Sequence, residues 1–108
     1  MQKLFTKKIE NALAKFPYGS QDGKGKDAKV IARFFVAQAT WYILEKENDD
    51  ILFGLANLGY GFEYGSISRR ELETLRVRPF GLGVERDTSI EPCEYTLGEC
   101  MAMYGEEI

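Results

Sequence analysis

The segment Tyr18–Asp27, YGSQDGKGKD, has the residue types of a phosphate-binding loop, with three glycines and two lysines in ten residues. A P-loop, however, needs GxxxxGK followed by Ser or Thr, after a strand and before a helix. The spacing from Gly19 to Gly23 is one residue too short, and Gly25 follows Lys24. We therefore interpret the segment as a flexible connector and expect no nucleotide binding. The alternative is a basic contact loop for an anionic partner, formed by Lys24, Lys26 and Lys29.

A pair of carboxylates, Glu85 and Asp87, is the second candidate site. On a strand both side chains point to one face and Arg86 points to the other. Paired carboxylates can perform acid/base chemistry or hold a metal. The alternative interpretation is that both are solvated or form salt bridges with nearby arginines such as Arg76 or Arg78.

Histidine is absent from the 108 residues, which excludes Ser-His-Asp triads, Cys-His pairs and histidine-ligated metals. The two cysteines, Cys93 and Cys100, match neither a CxxC redox pair nor a zinc knuckle. We expect both to be free thiols in a reducing cytosol, and we expect no cofactor.

The formal net charge of −3 is distributed unevenly along the chain. Residues 1–33 carry eight basic and three acidic groups, whereas residues 91–108 carry five acidic groups and no basic one. These segments either neutralise each other or form two surfaces for different partners. The net charge is too small for a DNA mimic that acts by acidity alone, and no basic excess indicates nucleic-acid binding.

Four acidic residues surround a predicted hairpin turn and should project together into solvent: Glu45, Glu47, Asp49 and Asp50. An acidic surface of this kind attracts basic partners. Together with Lys24 and Lys26, these four are the predicted partner-binding residues. The alternative is that the acids only keep the domain soluble or pair with the basic first third of the chain.

Helical periodicity and capping signals predict three helices. Thr6 should cap a helix that runs to about Lys15, with one buried stripe formed by Ile9, Ala12, Leu13 and Phe16. The S-x-x-E spacing of Ser68 and Glu71 predicts a capping box and a helix to about Arg76. The inward residues of that helix are Leu72 and Leu75. A second box, Thr96 with Glu99, should begin a helix whose stripe is Leu97, Cys100, Met101 and Tyr104.

Strands are predicted where β-branched and aromatic residues concentrate, over residues 28–36, 40–47, 51–57, 60–67 and 82–87. The order predicts an α+β fold: a mostly antiparallel sheet of about four to five strands with helices packed on one side. We expect one domain over residues 1–108, with a flexible Gly/Lys loop at 18–27 and an acidic C-terminal helix and tail at 93–108. No apolar run reaches the ~20 residues of a membrane span, and no signal peptide is evident, so a cytoplasmic location is expected.

Three stretches in this order resemble DUF family 2958: YGSQDGKGKDAKVIARFF, TWYILEKENDDILFGLANLGYGFEYGSISRRELETLRV and FGLGVERDTSIEP. The likeness covers roughly residues 4–92 and departs at LRVRPFGLG and in the acidic tail. It implies a small single-domain cytoplasmic protein of bacteria, phages and conjugative or integrative elements. It implies no reaction, cofactor or catalytic residue.

Two functional hypotheses remain. The first is a non-catalytic interaction protein of a mobile element that acts on host machinery, including defence complexes. It would have a protein partner and would bind neither nucleotide, membrane nor, directly, nucleic acid. The second is a small carboxylate- and metal-dependent enzyme acting on nucleotides or nucleic acid, in which Glu85 and Asp87 converge with Asp22 or Asp27. The lack of histidine and of a recognised catalytic spacing favours the first.

Overall fold

The computed structural model describes residues 2–108 and contains an antiparallel five-stranded sheet with three short α-helices. The elements are α1 (Lys7–Leu13), a 3₁₀ helix (Gly25–Asp27), β1 (Ala32–Val36), β2 (Ala39–Lys46), β3 (Ile51–Asn57), β4 (Phe62–Ser68), α2 (Arg69–Thr74), β5 (Arg76–Val77), β6 (Leu82–Gly83), β7 (Glu85–Arg86) and α3 (Leu97–Met103). The sheet order is β4-β3-β2-β1-β7, and β5 and β6 form a separate pair. The predicted α+β class and antiparallel sheet are confirmed. Among residues 2–108, no helix is both long and apolar enough to cross a bilayer.

The sheet is covered on both faces, which corrects the prediction that all helices pack on one side. α1 and α2 cover one face, where Leu13 and Leu72 join a core with Phe34, Trp41 and Ile43. α3 covers the opposite face, and its core contains Tyr42, Leu44, Leu55, Leu97, Cys100 and Met101. Successive strand residues point to opposite faces, so the apolar run at residues 41–44 supplies side chains to both cores.

The caps predicted for α1 and α3 are confirmed. The Thr6 hydroxyl accepts a hydrogen bond from the Ile9 amide at 3.3 Å, and α1 ends at Leu13. At α3 both halves of the capping box form: the Glu99 amide donates to Thr96 Oγ1 at 3.2 Å, and the Thr96 amide donates to Glu99 Oε1 at 2.9 Å. Such caps satisfy amides that the helix itself leaves unpaired.

At α2 only the Ser68 half of the predicted box forms, with the Glu71 amide donating to Ser68 Oγ at 3.1 Å. Asp50 supplies the other contacts, because its carboxylate accepts from the Arg70 amide at 2.9 Å and from Ser68 Oγ at 3.1 Å. Leu72 is buried as predicted, but Leu75 is 39% exposed because it lies at the end of the helix.

Replacing Ser68 by Ala should lower the free energy of unfolding by ~1 kcal/mol, because the Glu71 amide loses its acceptor at the helix start. The midpoint of chemical denaturation measures this change. Ser66→Ala is the matched control, because Ser66 is an exposed serine of the same strand, and it should leave the midpoint almost unchanged. A Ser68→Ala midpoint equal to that of the parent would contradict a stabilising cap.

The predicted strand over residues 82–87 divides into two short strands. β6 pairs with β5, whereas β7 pairs with β1 and thereby joins the main sheet. β7 places Asp87 beside β1, where the Asp87 amide donates to the carbonyl of Arg33 at 2.9 Å.

Candidate functional site

The Gly/Lys segment at residues 18–27 is held against the sheet by the buried side chain of Gln21. Its Nε2 donates to the carbonyls of Lys29 at 2.9 Å and Leu44 at 2.8 Å, and its Oε1 accepts from the Lys29 amide at 2.6 Å. The flexibility predicted for this segment stays a prediction, but its middle is tied to two neighbouring segments.

Glu45 holds the beginning of the same segment. Its carboxylate accepts hydrogen bonds from the amides of Gly19 at 2.8 Å and Gln21 at 2.7 Å, and the residue is only 2% exposed. The prediction that Glu45 projects into solvent is therefore wrong. The reason is a β-bulge: Ile43 pairs with Gly54, but Glu45 pairs with Phe53, so β2 has an extra residue that turns Glu45 towards the segment.

The other acids of the hairpin have different surroundings. Glu47 and Asp49 are exposed, and Asp49 lies 3.5 Å from the ammonium of Lys46. Asp50 is half-buried and fixes the start of α2. Two of the four predicted acids therefore form an exposed surface, and the other two hold backbone amides.

A cleft of about 370 Å³ lies between the Gly/Lys segment and the sheet. This loop cleft is lined by Asp22, Gly23, Gly25, Leu44, Phe53 and Tyr64, as well as Gln21 and Glu45. The rings of Phe53 and Tyr64 are nearly parallel with centroids 6.2 Å apart, and Tyr18 meets Phe53 edge-on at 5.6 Å. Aromatic rings and carboxylates do not attract phosphate.

The lysines of the segment point elsewhere. Lys24, Lys26 and Lys29 are exposed and do not line the loop cleft. The stem of Lys26 lies against Gly98 of α3, where an added Cβ would be 3.2 Å from the Lys26 Cβ. Their role as a contact surface for an anionic partner stays a prediction.

A buried ionic cluster lies between the sheet and the end of α3. The Arg33 guanidinium contacts Asp87 Oδ2 at 3.2 Å and Glu106 Oε2 at 3.7 Å, and it stacks 3.8 Å from the centre of the Tyr104 ring. The Tyr42 hydroxyl accepts a hydrogen bond from Arg33 Nε at 3.3 Å and donates a hydrogen bond to the Glu106 carboxylate. In residues 2–108, no buried side-chain nitrogen or oxygen atom lacks a hydrogen-bond partner.

The ionisation of this cluster fits a structural role. Burial alone raises the pKa of Asp87, but hydrogen bonds from Ser89 and Tyr104 and the charge of Arg33 lower it below its usual value. Burial and the bond to Glu106 raise the pKa of Tyr42, so its hydroxyl stays protonated. At neutral pH the cluster therefore contains the Arg33 cation, the Asp87 carboxylate and the neutral phenols of Tyr42 and Tyr104.

The predicted pairing of Glu85 and Asp87 as a site is not formed. Glu85 is exposed, whereas Asp87 is buried and bonded to Arg33 rather than to Arg76 or Arg78. Asp22 and Asp27 lie in and beside the loop cleft instead of joining them. Across residues 2–108, no group of three or more Cys, Asp or Glu side chains is arranged to hold a metal.

The acidic tail makes contacts with the basic first third of the chain. Glu106 lies beside Arg33, and Glu91 lies 3.8 Å from Lys8. Glu99 belongs to the capping box of α3. These contacts favour neutralisation over a separate acidic surface.

Both cysteines are free thiols. Burial raises the pKa of Cys100 to about 11, and burial also raises the pKa of Cys93. Since the thiolate is the nucleophilic form, neither thiol is activated at neutral pH.

The two edges of the sheet differ. β7 has only two residues, and its outer backbone is occupied: the Arg86 amide donates to Gln2 Oε1 at 2.6 Å, and Gln2 Nε2 donates to the Arg86 carbonyl at 3.2 Å. β4 has seven residues and no further strand beside it in residues 2–108. Its one charged residue is Glu63. A long edge with one charge is a template for strand pairing.

On the face covered by α1 and α2, a groove runs along β4. This edge groove consists of two adjoining cavities of about 370 and 380 Å³. Its apolar lining is Trp41, Ala56, Leu58, Ile67, Leu72 and Leu75, and its acidic residues are Glu63 and Glu71. At the β3–β4 turn, Leu58 is 62% exposed and Tyr60 is 99% exposed. Sequence analysis missed this surface, although the apolar residues in the glycine-rich turn LANLGYGF were a usable signal.

Comparison with known proteins identifies a family. The model of the family described as "Protein of unknown function (DUF2958)" matches residues 4–102. No curated protein matches the chain, and no solved structure does. The resemblance inferred from the motifs is thus confirmed and extends into α3. The chain belongs to the DUF2958 family.

Proposed function

We propose that this protein is a non-catalytic protein-binding factor of the cytoplasm and that it contacts its partner through the β4 edge. The observation that carries the proposal is the contrast between the edges. Gln2 occupies the backbone of β7, whereas the seven-residue β4 has no strand on its outer side within residues 2–108. Exposed apolar residues such as Leu58 and Tyr60 extend this open edge, and clusters of this kind mark interaction sites.

The biological part of the proposal is inhibition of host machinery, defence complexes included, on behalf of a mobile element. It rests on the family resemblance by association, because small proteins of mobile elements often act on host machinery by binding. The alternative hypothesis, a carboxylate-dependent enzyme, has less support. Glu85 is exposed, and the Asp87 carboxylate already accepts hydrogen bonds from Arg33, Ser89 and Tyr104.

The full-length protein, immobilised in a host-cell extract, should retain a specific protein that an unrelated bait does not. The double variant Leu58→Ser/Tyr60→Ser should lose that protein, because it removes the exposed apolar residues of the β3–β4 turn. Phe80→Ser is the matched control, since Phe80 is 83% exposed on the separate β5–β6 hairpin, and it should retain the partner. Quantitative mass spectrometry measures all three samples.

Calorimetry of the purified protein with ATP or GTP and magnesium should show no saturable heat. A micromolar nucleotide site, or turnover of nucleotide or nucleic acid, would contradict a purely binding role. Equal partner capture by the Leu58→Ser/Tyr60→Ser variant would exclude the β3–β4 turn as the contact.

A further inference from the structure

We propose that the partner contributes an extended segment that pairs with β4 as a sixth strand, with a basic side chain opposite Glu63 and apolar side chains over the edge groove. This inference rests on the proposed function and specifies the chemistry of the partner. It combines the open backbone of β4, the adjacent groove and the charges of that groove.

The backbone of β4 defines the pairing geometry. β4 is paired with β3 on one side from Phe62 to Ser68, and this register has no bulge. Successive residues point to opposite faces. A segment paired with the outer side would therefore place the residues opposite Glu63, Gly65 and Ile67 on the face of the edge groove.

The centre of the groove face has room for a large side chain. Gly65 lies in the middle of β4, and a Cβ built on it would meet no atom within 4 Å. Its partner on β3 is Gly54. A large apolar side chain opposite Gly65 can therefore cover the glycine and contact the apolar lining, a pairing known to stabilise strand glycines.

The charges of the groove select a basic segment. Glu63 and Glu71 are exposed, and neither forms a salt bridge within residues 2–108. The nearby Arg69 does not neutralise them, because it pairs with Glu10 and stacks 4.3 Å from the centre of the Phe5 ring. A Lys or Arg of the partner opposite Glu63 would form an ion pair with the only charged residue of β4.

A second copy of this chain fits the edge less well. In an antiparallel pair centred on Gly65, Glu63 of each copy would lie opposite Ile67 of the other. That pairing places a carboxylate beside an apolar side chain and brings no cation. A partner with a basic residue in its strand avoids both problems.

The probe for this inference is a displayed library of random decapeptides, selected on the immobilised full-length protein. Enriched peptides should alternate apolar and other residues and contain Lys or Arg. Bound to ¹⁵N-labelled protein, a synthetic peptide of the enriched sequence should shift the amide resonances of Phe62–Ser68 and slow their hydrogen exchange.

Charge reversal tests the recognition directly. Glu63→Lys/Glu71→Lys should weaken peptide binding roughly tenfold or more, because two attractions become repulsions. The matched control is Glu47→Lys/Glu73→Lys, which makes the same change at two exposed acids outside the groove. It should change the dissociation constant less than about threefold. Fluorescence anisotropy gives both values, and circular dichroism verifies folding of each variant.

Several outcomes overturn strand pairing at β4: resonance shifts confined to the loop cleft, enriched peptides without a basic residue, or equal weakening by both double variants. A dimer by sedimentation with shifts at β4 would make a second copy the occupant. After these outcomes, protein binding as such still stands if the extract yields a specific partner, and the β4 contact stands only if Leu58→Ser/Tyr60→Ser loses that partner. If the extract yields none, the proposed function itself fails.

Discussion

Replacing Gly54 by Ala should abolish cooperative folding. A Cβ at this position would lie 1.9 Å from the carbonyl oxygen of Tyr42 and 3.2 Å from the Cα of Ile43. Both are backbone atoms of the neighbouring strand, so no side-chain rotation relieves the overlap. We expect the free energy of unfolding to fall by more than about 4 kcal/mol, which is a large part of the stability of a small domain.

Gly65→Ala is the matched control, because Gly65 is the direct partner of Gly54 in the sheet. A Cβ at Gly65 meets nothing within 4 Å, so stability should change by no more than about 1 kcal/mol. Chemical denaturation followed by circular dichroism measures both variants. A Gly54→Ala protein with the denaturation midpoint of the parent would contradict the close approach of β2 and β3.

This close approach lies at the bulge that also buries Glu45, and the bulge marks the limit of sequence reasoning. The apolar run of β2 continues without interruption into Glu45 in the sequence, and the acidic residues after it predict a solvated turn. The extra residue at Leu44 changes the side of the sheet on which Glu45 lies. A bulge depends on how two strands pair, so local residue preferences do not reveal it.

Local signals, in contrast, predicted the helix starts. Thr6, Ser68 and Thr96 each accept a bond from the amide three residues later. These bonds join residues close in sequence, so composition and spacing suffice to predict them. Asp50 also accepts hydrogen bonds at the start of α2, but it lies 18 residues before Ser68. No local sequence pattern links the two residues.

The sequence of β2 is consistent with α3 lying on the second face of the sheet. Strands covered on both faces have continuous apolar runs rather than alternation, and β2 contains Trp41–Leu44. The opposite charges of the first third and the acidic tail left two alternatives open, a contact between the segments or two separate surfaces, and they did not identify the residues that form the contact. The pairing of Arg33 with Asp87 depends on β7 lying beside β1, a contact that exists only in the folded sheet.

Replacing Asp87 by Asn should lower the free energy of unfolding at pH 7 by about 3 kcal/mol, because it removes one partner of a buried ion pair. Of the two carboxylates that contact Arg33 within residues 2–108, the more distant Glu106, at 3.7 Å, would remain. The bonds that Ser89 and Tyr104 donate to the carboxylate would also weaken. Chemical denaturation at pH 7 measures the loss.

The pH dependence of this loss follows from the pKa of Asp87, which is lower in the folded protein than its usual value. A carboxyl group with a lowered folded-state pKa stabilises the fold above its unfolded pKa of about 4 and loses that contribution as the pH falls through the folded value. The difference between the parent and Asp87→Asn should therefore be full at pH 7 and shrink below about pH 4.

Glu85→Gln is the control for this pH series, because Glu85 is an exposed acid two residues away. It should change stability by no more than about 0.5 kcal/mol at any pH at which the parent is folded. A loss at Asp87→Asn that stays constant down to pH 3 would mean that shape, and not charge, is what Asp87 contributes. Equal losses of unfolding free energy for Asp87→Asn and Glu85→Gln would show that the stabilising effect does not depend on the buried contact between Asp87 and Arg33. The expected result places the stabilising charge in the contact between Asp87 and Arg33, where β7, β1 and the end of α3 meet.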